Sequence, residues 1–443
     1  MRGGRAALVD PEVVMRTDRA DWLSAGEALR RIMAGVAPLP TETRPLLDAL
    51  GSVLAEDVAA PVDLPPWDNS AMDGFAVRSE DVTGASAEHP ITLRVVDDIR
   101  AGAFPSRALG SGEAARIMTG APIPAGADGV IRVEHTDGGA AIGTPDATVT
   151  IRSAADAGKN IRPRGEDVRA GETVLRASTV LRAPELAVAA SLGKARLTVH
   201  RRPIVAIATS GDELVDVEDY DEVLAGRKIV SSNTYALAAQ LAESGIEARI
   251  LGTARDTPVS VREVLERARG CDALITSAGI SVGEHDHVRA VLDAMETHVE
   301  FWRVRIRPGS ALAFGHVGAL GGIPWFGLPG NPVSTMVTFE LFVRPALLRM
   351  CGRTRVFAPT IEAVLRDPVS ARGELMHIPR LRVDGADGAT YARLTGAQGS
   401  GIATSMAAAD ALGLVPSGAE LAAGDRVRAM VLGGAPLVEE GYF

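Results

Sequence analysis

The spacing of hydrophobic and polar positions changes character twice along the chain. Between 202 and 352, continuous apolar runs alternate with segments of helical spacing. Residues 203–209 (PIVAIAT) form an unbroken apolar run, as expected of a strand buried on both faces. The same reading predicts strands at 246–251, 272–276, 299–304 and 323–328. It predicts helices at 233–244, 259–269, 287–295 and 333–350, with Gly245 as the stop of the first. Strands alternating with helices imply βαβ units and a parallel sheet. Before this region, Ser24 can cap a helix whose apolar stripe is Ala28, Leu29, Ile32 and Met33. A second helix is expected near 44–54, ending at the boundary marked by Pro61, Pro65 and Pro66. From 67 to 164 the chain is Gly-rich with short alternating runs (91–96, 129–134, 147–151), the pattern of a small all-β module with a turn-rich excursion at 137–143. Residues 353–443 return to short strands and turns, a compact β domain.

Composition narrows the function classes. The chain has 443 residues, a formal net charge of −10, 46% apolar and 23% charged residues. That is an ordinary soluble multidomain composition. The acidic balance argues against a general nucleic-acid binder, which needs a basic face. Cys271 and Cys351 are the two cysteines, too few for a disulfide framework or a cysteine zinc site, which points to a reducing compartment. Residues 1–19 carry no apolar run long enough for a signal peptide, and the longest stretch free of charge is broken by Gly and Pro, so no membrane helix is expected. The expected location is cytoplasmic. Only Lys159, Lys194 and Lys228 are lysines among 46 basic residues; because the depletion is global, it reads as codon bias.

The candidate chemistry follows the strands of the 202–352 region. Ser210-Gly211-Asp212-Glu213 follows 203–209, Arg255-Asp256 follows the next strand, 277–286 (SAGISVGEHD) follows 272–276, and Pro329-Gly330-Asn331-Pro332 follows 323–328. Ligands of open α/β sheets bind beyond the carboxyl ends of the strands. A Ser/Gly loop opening a helix offers N–H groups to a phosphate. Glu213, Asp256 and Asp286 are expected to converge on that rim. Carboxylates and a bound phosphate coexist with a cation between them, which implies Mg²⁺. As isolated residues they would be helix caps, each worth about 0.3–1 kcal/mol. His285 and His287 flank Asp286, but without a third ligand of matching spacing they read as surface or capping residues.

Six runs occur in one order: DNSAMDGFAV (68–77), RIMTGAPIP (116–124), KNIRPRGED (159–167), SGDEL (210–214), SAGISVGEHD (277–286) and GLPGNPVS (327–334). From about residue 21 to the end, the sequence resembles the molybdopterin molybdenumtransferases, bacterial proteins that share their fold with the C-terminal domain of gephyrin. The resemblance implies an α/β and β multidomain protein with a central parallel α/β domain. Its parts would be a flexible extension (1–20), an elongated linker and dimerisation domain (21–66 with 166–201), a β module (67–165), an α/β molybdopterin-binding domain (202–352) and a C-terminal β domain (353–443). It implies insertion of molybdenum from molybdate into adenylylated molybdopterin, with Mg²⁺ and release of AMP. Catalytic roles fall on Asp73, Thr119, Glu213, Asp256 and Asp286, with Glu213, Asp256 and Asp286 as metal ligands. Substrate contacts fall on Arg162, Arg164, Ser210, Gly211, Ser277, Gly279, Ser281, Gly283, Arg307, Pro329, Gly330, Pro332, Arg380 and Ser400. Asp73 and Thr119 would reach the site from the other subunit of a homodimer. The implied substrate donor is the enzyme of the same pathway that makes adenylyl-molybdopterin.

This chain departs from the family pattern at two places. Arg307-Pro308-Gly309-Ser310-Ala311 stands where the family usually shows Lys-Pro-Gly-Lys-Pro, so Ser310 removes a cation, for which Arg366 or Arg382 could compensate. Ala278 replaces a usual glycine, which implies a negative φ at that position. The rivals to the enzyme reading are a non-catalytic molybdopterin- or molybdate-binding paralogue or scaffold, favoured by Ser310, and a nucleotide pyrophosphatase, which leaves the DNSAMDG and RIMTGAP motifs without a purpose.

Overall fold

The computed structural model describes residues 21–139, 147–278, 287–386 and 388–433. These form two compact units: Arg44–Leu50 with Glu56–Leu197 is one, and the remaining described residues are the other. Segment 21–66 is therefore shared between the two.

The larger unit is built on a six-stranded sheet. Glu247–Ala254, Ile204–Ser210, Ala273–Ser277 and Ile323–Leu328 lie side by side and parallel. Both faces are covered, so alternate residues enter opposite cores. Val205 and Ile207 join Ile275, Phe326 and Leu237 on one side. Ala206 and Ala208 join Leu274, Trp325 and Val264 on the other. Each fully buried Ile, Leu or Phe contributes about 1.5–3 kcal/mol, which is why these strands read as continuous apolar runs. The helix Ala25–Ala34, capped by the Ser24 side chain, adds Ala28 and Ile32 to the first core.

The sheet also holds a strand that the periodicity did not predict. Ala313–Val317 runs antiparallel between Ile323–Leu328 and the edge strand Thr297–Phe301. Gly315 at its centre reads as a breaker in sequence. In the sheet it is a close approach: a Cβ there would lie 2.4 Å from the His298 carbonyl oxygen.

Two other expectations change. The helix expected at 44–54 is instead the strand Thr41–Pro45 and one 3-10 turn, Leu47–Ala49. Pro45 lacks the N–H a helix interior needs, and Gly51 sits at φ +72, so the apolar spacing had no helix to occupy. The single helix expected at 333–350 is helical throughout but holds a π segment, Phe339–Val343, between Pro332–Thr338 and Arg344–Met350. Pro345 cannot donate to the preceding turn, and the wider turn accommodates that loss. Glu340 in the π segment is buried and takes a bidentate pair from Arg344, at 2.7 and 2.6 Å, plus a bond from Gln240 at 2.6 Å.

The C-terminal part is a closed barrel of Thr360–Leu365, Ala389–Leu394, Arg380–Ala386, Ala411–Gly413 and Arg426–Val431. In the smaller unit a five-stranded sheet runs in the order Gly129–Arg132, Gly74–Val77, Glu113–Ile117, Ile91–Ile99, Thr148–Ile151. No helix among the described residues is long and apolar enough to cross a membrane.

Candidate active site

The carboxyl ends of the parallel strands open into a cavity of about 390 Å³ in the larger unit. Its described lining includes Thr209, Glu213, Ser231, Asn233, Ser277, Ala278, Gly330 and Pro332. The Asn233 amide, at the start of helix Ser232–Glu243, ties two of its walls together. The Nδ2 donates to Ser277 Oγ and to the Gly330 carbonyl, both at 2.8 Å. The Ser277 hydroxyl in turn donates to the Pro329 carbonyl. By residue type, Asn233 or Ser232 is the expected cap of this helix. The structure places Ser231 at that position, without a side-chain capping bond to the helix N–H groups, and gives Asn233 to the site.

Ala278 has φ +71, against the expected negative value. A left-handed alanine costs about 1–2 kcal/mol. It is held there because its N–H donates to the Leu328 carbonyl and its Cβ packs 3.3 Å from where a Gly330 Cβ would stand.

On the rim, Asp256 and Asp212 bond to each other's backbone: the Asp212 N–H donates to Asp256 Oδ2 at 3.2 Å and the Asp256 N–H to Asp212 Oδ1 at 3.3 Å. Ser210 Oγ donates to Asp256 Oδ1. Glu213 lines the cavity, its carboxylate folded over Gly211, where a Cβ would meet it at 2.5 Å. Gly211 adopts φ +150. The expected trio of Glu213, Asp256 and Asp286 is not assembled among the described residues, which hold no group of three His, Cys, Asp or Glu side chains placed for a metal. Asp286, with Gly279, Ser281, Gly283 and His285, lies outside the described residues. His287 begins the helix His287–Ala294.

The barrel reaches the same end of the sheet. The Val333 N–H, in the first turn after Pro332, donates to the Ser400 carbonyl at 3.0 Å. Arg380 is fully buried, not a rim residue. Its Nη2 donates to the Gly399 carbonyl and its Nε to Ser405 Oγ, both at 3.2 Å, while Nη1 is buried with no partner. Burial pulls its pKa below the usual arginine range. Among the described residues no carboxylate pairs with this guanidinium, so its charge is left uncompensated.

Arg307 pairs through the short strand Ile306–Arg307 with Met376–His377 and lines a second cavity of about 380 Å³ with Arg372 and His377. Burial lowers the His377 pKa below its ordinary value, and Arg307 and Arg380 add to the shift. Gly309 presses against Thr338, where a Cβ would stand 2.5 Å from Cγ2, so the glycine in this segment is a packing requirement. Of the two arginines that could restore the cation missing at 310, Arg366 lies 3.7 Å over the Tyr391 ring and Arg382 donates through Nε to the Ala408 carbonyl.

In the smaller unit three motifs distant in sequence converge. Asn69–Ser70 pairs with Ile161–Arg162. The Ser70 N–H donates to the Ala121 carbonyl and the Gly120 N–H to the Ser70 carbonyl. Asp73 Oδ1 accepts from the Thr119 N–H at 2.7 Å and from Thr119 Oγ1 at 2.8 Å. These two bonds, the backbone one first, hold the Asp73 carboxyl below its ordinary pKa. Arg164 is anchored beside them, its N–H on Asp68 Oδ1 at 2.7 Å. Gly74 follows Asp73 because a Cβ there would fall 2.0 Å from the Ile131 carbonyl oxygen.

The architecture is that of an α/β and β multidomain protein with a polar cavity at the strand ends of its α/β sheet. Residues 206–349 match the family model described as a probable molybdopterin binding domain. Residues 23–193 match the MoeA N-terminal region (domain I and II) and 362–432 the MoeA C-terminal region (domain IV). The molybdopterin molybdenumtransferase of Staphylococcus aureus (strain COL) is 35% identical over 405 residues, covering 91% of this chain and 94% of that protein. Molybdopterin molybdenumtransferase 2 of Mycobacterium tuberculosis (strain CDC 1551 / Oshkosh) is 40% identical over 329 residues, covering 73% and 78%. The crystal structure of the molybdopterin biosynthesis moeA protein from Pyrococcus horikoshii aligns with TM-score 0.76 at 28% identity, covering 93% of this chain and 100% of that one. This chain belongs to the molybdopterin molybdenumtransferase family, enzymes of molybdenum cofactor biosynthesis.

Proposed function

We propose that this protein inserts molybdenum from molybdate into adenylylated molybdopterin, releasing AMP and the molybdenum cofactor. The observation that carries the reading is the strand-end cavity, its walls fixed by Asn233, Ser277 and Gly330. The substrate's nucleotide and pterin halves lie in that cavity, and rigid walls hold the phosphoanhydride in one orientation, so little ordering remains to be done when it reacts. Ser210, Gly211, Ser277, Pro329 and Pro332 line or support the cradle. Arg307, the buried Arg380 and Ser400 attract the molybdate oxyanion to the barrel side. Arginine is suited to a tetrahedral oxyanion through two parallel N–H donors.

Asp256 and Glu213 carry hard carboxylate oxygens of the kind Mg²⁺ takes together with waters, while the described residues alone hold no group of three such side chains placed for the ion. Asp256 and Glu213 would hold it with Asp286. When bound there, it would supply charge neutralisation at the phosphate. Asp73 and Thr119, with Arg162 and Arg164, complete the site from the second subunit of a homodimer. That arrangement gives the 67–165 module its purpose, with 21–66 and 166–201 as the dimerising linker. The protein acts in the cytoplasm, on substrate from the enzyme that adenylylates molybdopterin.

The test is AMP release from adenylylated molybdopterin with Mg²⁺, with and without molybdate. Release that depends on molybdate supports the reading. Release indifferent to molybdate would point to a pyrophosphatase, and no release to a binding paralogue, as the serine at 310 would favour.

A further inference from the structure

The strand-end cavity has a charge problem that its lining does not solve. Among the described residues around it, Glu213 is the one charged side chain. Resting on the function proposed above, the ligand is a nucleotide phosphate, so the wall facing it would carry like charge. A cation at the cavity mouth would add to the neutralisation that the rim ion proposed above supplies.

Lys228 stands there. It directly precedes Ile229 and Val230, which line the cavity, and its Nζ donates to the Asp212 carbonyl oxygen, one residue before Glu213. The ammonium thus bridges the two segments that build one wall, which are joined again by the Ile229 N–H on the Glu213 carbonyl at 2.9 Å. Lys228 is half-buried. Among the described residues it makes no ion pair. The nearby Glu222 is held bidentately by Arg227, at 2.8 Å from both oxygens, and interacts with the Lys228 charge without a hydrogen bond to it, so the ammonium keeps donors for another partner.

The residue type points the same way. The chain carries 46 basic residues, of which three are lysine, and Lys228 is the one in the larger unit. An ammonium is more compact than the guanidinium that most basic positions of this chain carry. One of its three donors goes to the Asp212 carbonyl, and an ammonium can turn the others toward an oxyanion without the planar space a guanidinium needs.

We propose that Lys228 is a substrate-positioning residue that binds the nucleotide phosphate at the mouth of the strand-end cavity. Its ammonium offsets Glu213 and fixes the phosphate against the Ser210–Leu214 loop.

The experiment is calorimetric titration of the full-length protein with AMP and, separately, with adenosine, for wild type, Lys228→Gln and Lys228→Arg. The expected result is that Lys228→Gln weakens AMP binding about tenfold and flattens its salt dependence, while adenosine binding is unchanged. Lys228→Arg keeps the charge and recovers most of the AMP affinity. Equal AMP affinity in wild type and Lys228→Gln overturns the proposal while leaving the function standing. Equal losses of AMP and adenosine affinity overturn it too, because they mark Lys228 as a prop for the Asp212 carbonyl. Wild type that binds neither AMP nor adenosine at millimolar concentration contradicts the proposed function itself.

Discussion

Asp73 and Thr119 are 46 positions apart and meet through two hydrogen bonds to one carboxylate oxygen. Nothing in periodicity joins them; only the resemblance singled them out, because the contact depends on how two strands of the smaller unit are registered. The bonds favour the ionised form, so the folded pKa lies below the ordinary 3.8. A depressed carboxyl pKa contributes stability above the unfolded value, and that contribution is lost as pH falls through the folded one. Thr119→Val removes the hydroxyl and leaves the backbone donor, the larger cause. Its Asp73 pKa should rise part of the way back, and the variant should be less stable than wild type at pH 7 but equal to it once Asp73 is protonated in both. Carboxyl-carbon NMR titration and urea melts at pH 7 and pH 3 check this; a stability gap that persists undiminished at pH 3 would remove the electrostatic explanation. Ala278 carries the opposite kind of cost, a side chain in a left-handed backbone at φ +71. Ala278→Gly should stabilise the larger unit by about 0.5–1 kcal/mol, the relief of that strain less the entropy of a glycine, read as a shift in denaturant midpoint. A lower midpoint would show that packing against Gly330 outweighs the strain.

Elements were most legible where burial was two-sided. The runs around 204–210, 273–277 and 323–328 are apolar because each face meets a separate core, and that signal needs no partner to be read. The strand Ala313–Val317 and the π segment Phe339–Val343 were not legible, because each exists to fit a neighbour: Gly315 against the His298 carbonyl, Pro345 against the preceding turn. The cavity wall was partly legible, since the loops after the strands were marked, whereas Asn233 belongs to it through contacts that sequence spacing does not encode. Gly74 shows how steric necessity can hide inside a functional motif. A Cβ would stand 2.0 Å from the Ile131 carbonyl oxygen, between two strands that cannot part without losing ladder bonds. Gly74→Ala should cost the smaller unit more than about 3 kcal/mol, in the range of severe overpacking, and should shift that unit's thermal transition while leaving the larger unit's transition in place. A variant with both transitions unmoved would mean the strands give way freely.

At the scale of the whole molecule, the proposal places Asp73 and Asp256 of different subunits in one site. In a C2 dimer each subunit then lends its smaller unit to the other's cavity. Asp73→Asn and Asp256→Asn should each lose about a hundredfold or more in turnover, the scale of removing one preorganised electrostatic group. Co-expressed, they should recover about a quarter of wild-type activity, because half of randomly paired dimers retain one intact site of two. Activity no higher than either variant alone would place both residues in the same subunit's site. The family was legible as six motifs in sequence, whereas the homodimer is an expectation from the resemblance, since an interface is written in the surfaces of two copies and not in the spacing of one. The most direct test of the central claim counts products: molybdenum bound to pterin, by mass spectrometry, against AMP released in the same reaction with molybdate and Mg²⁺. The account predicts one molybdenum inserted for each AMP. AMP without molybdenum-loaded pterin, at any molybdate concentration, would contradict it.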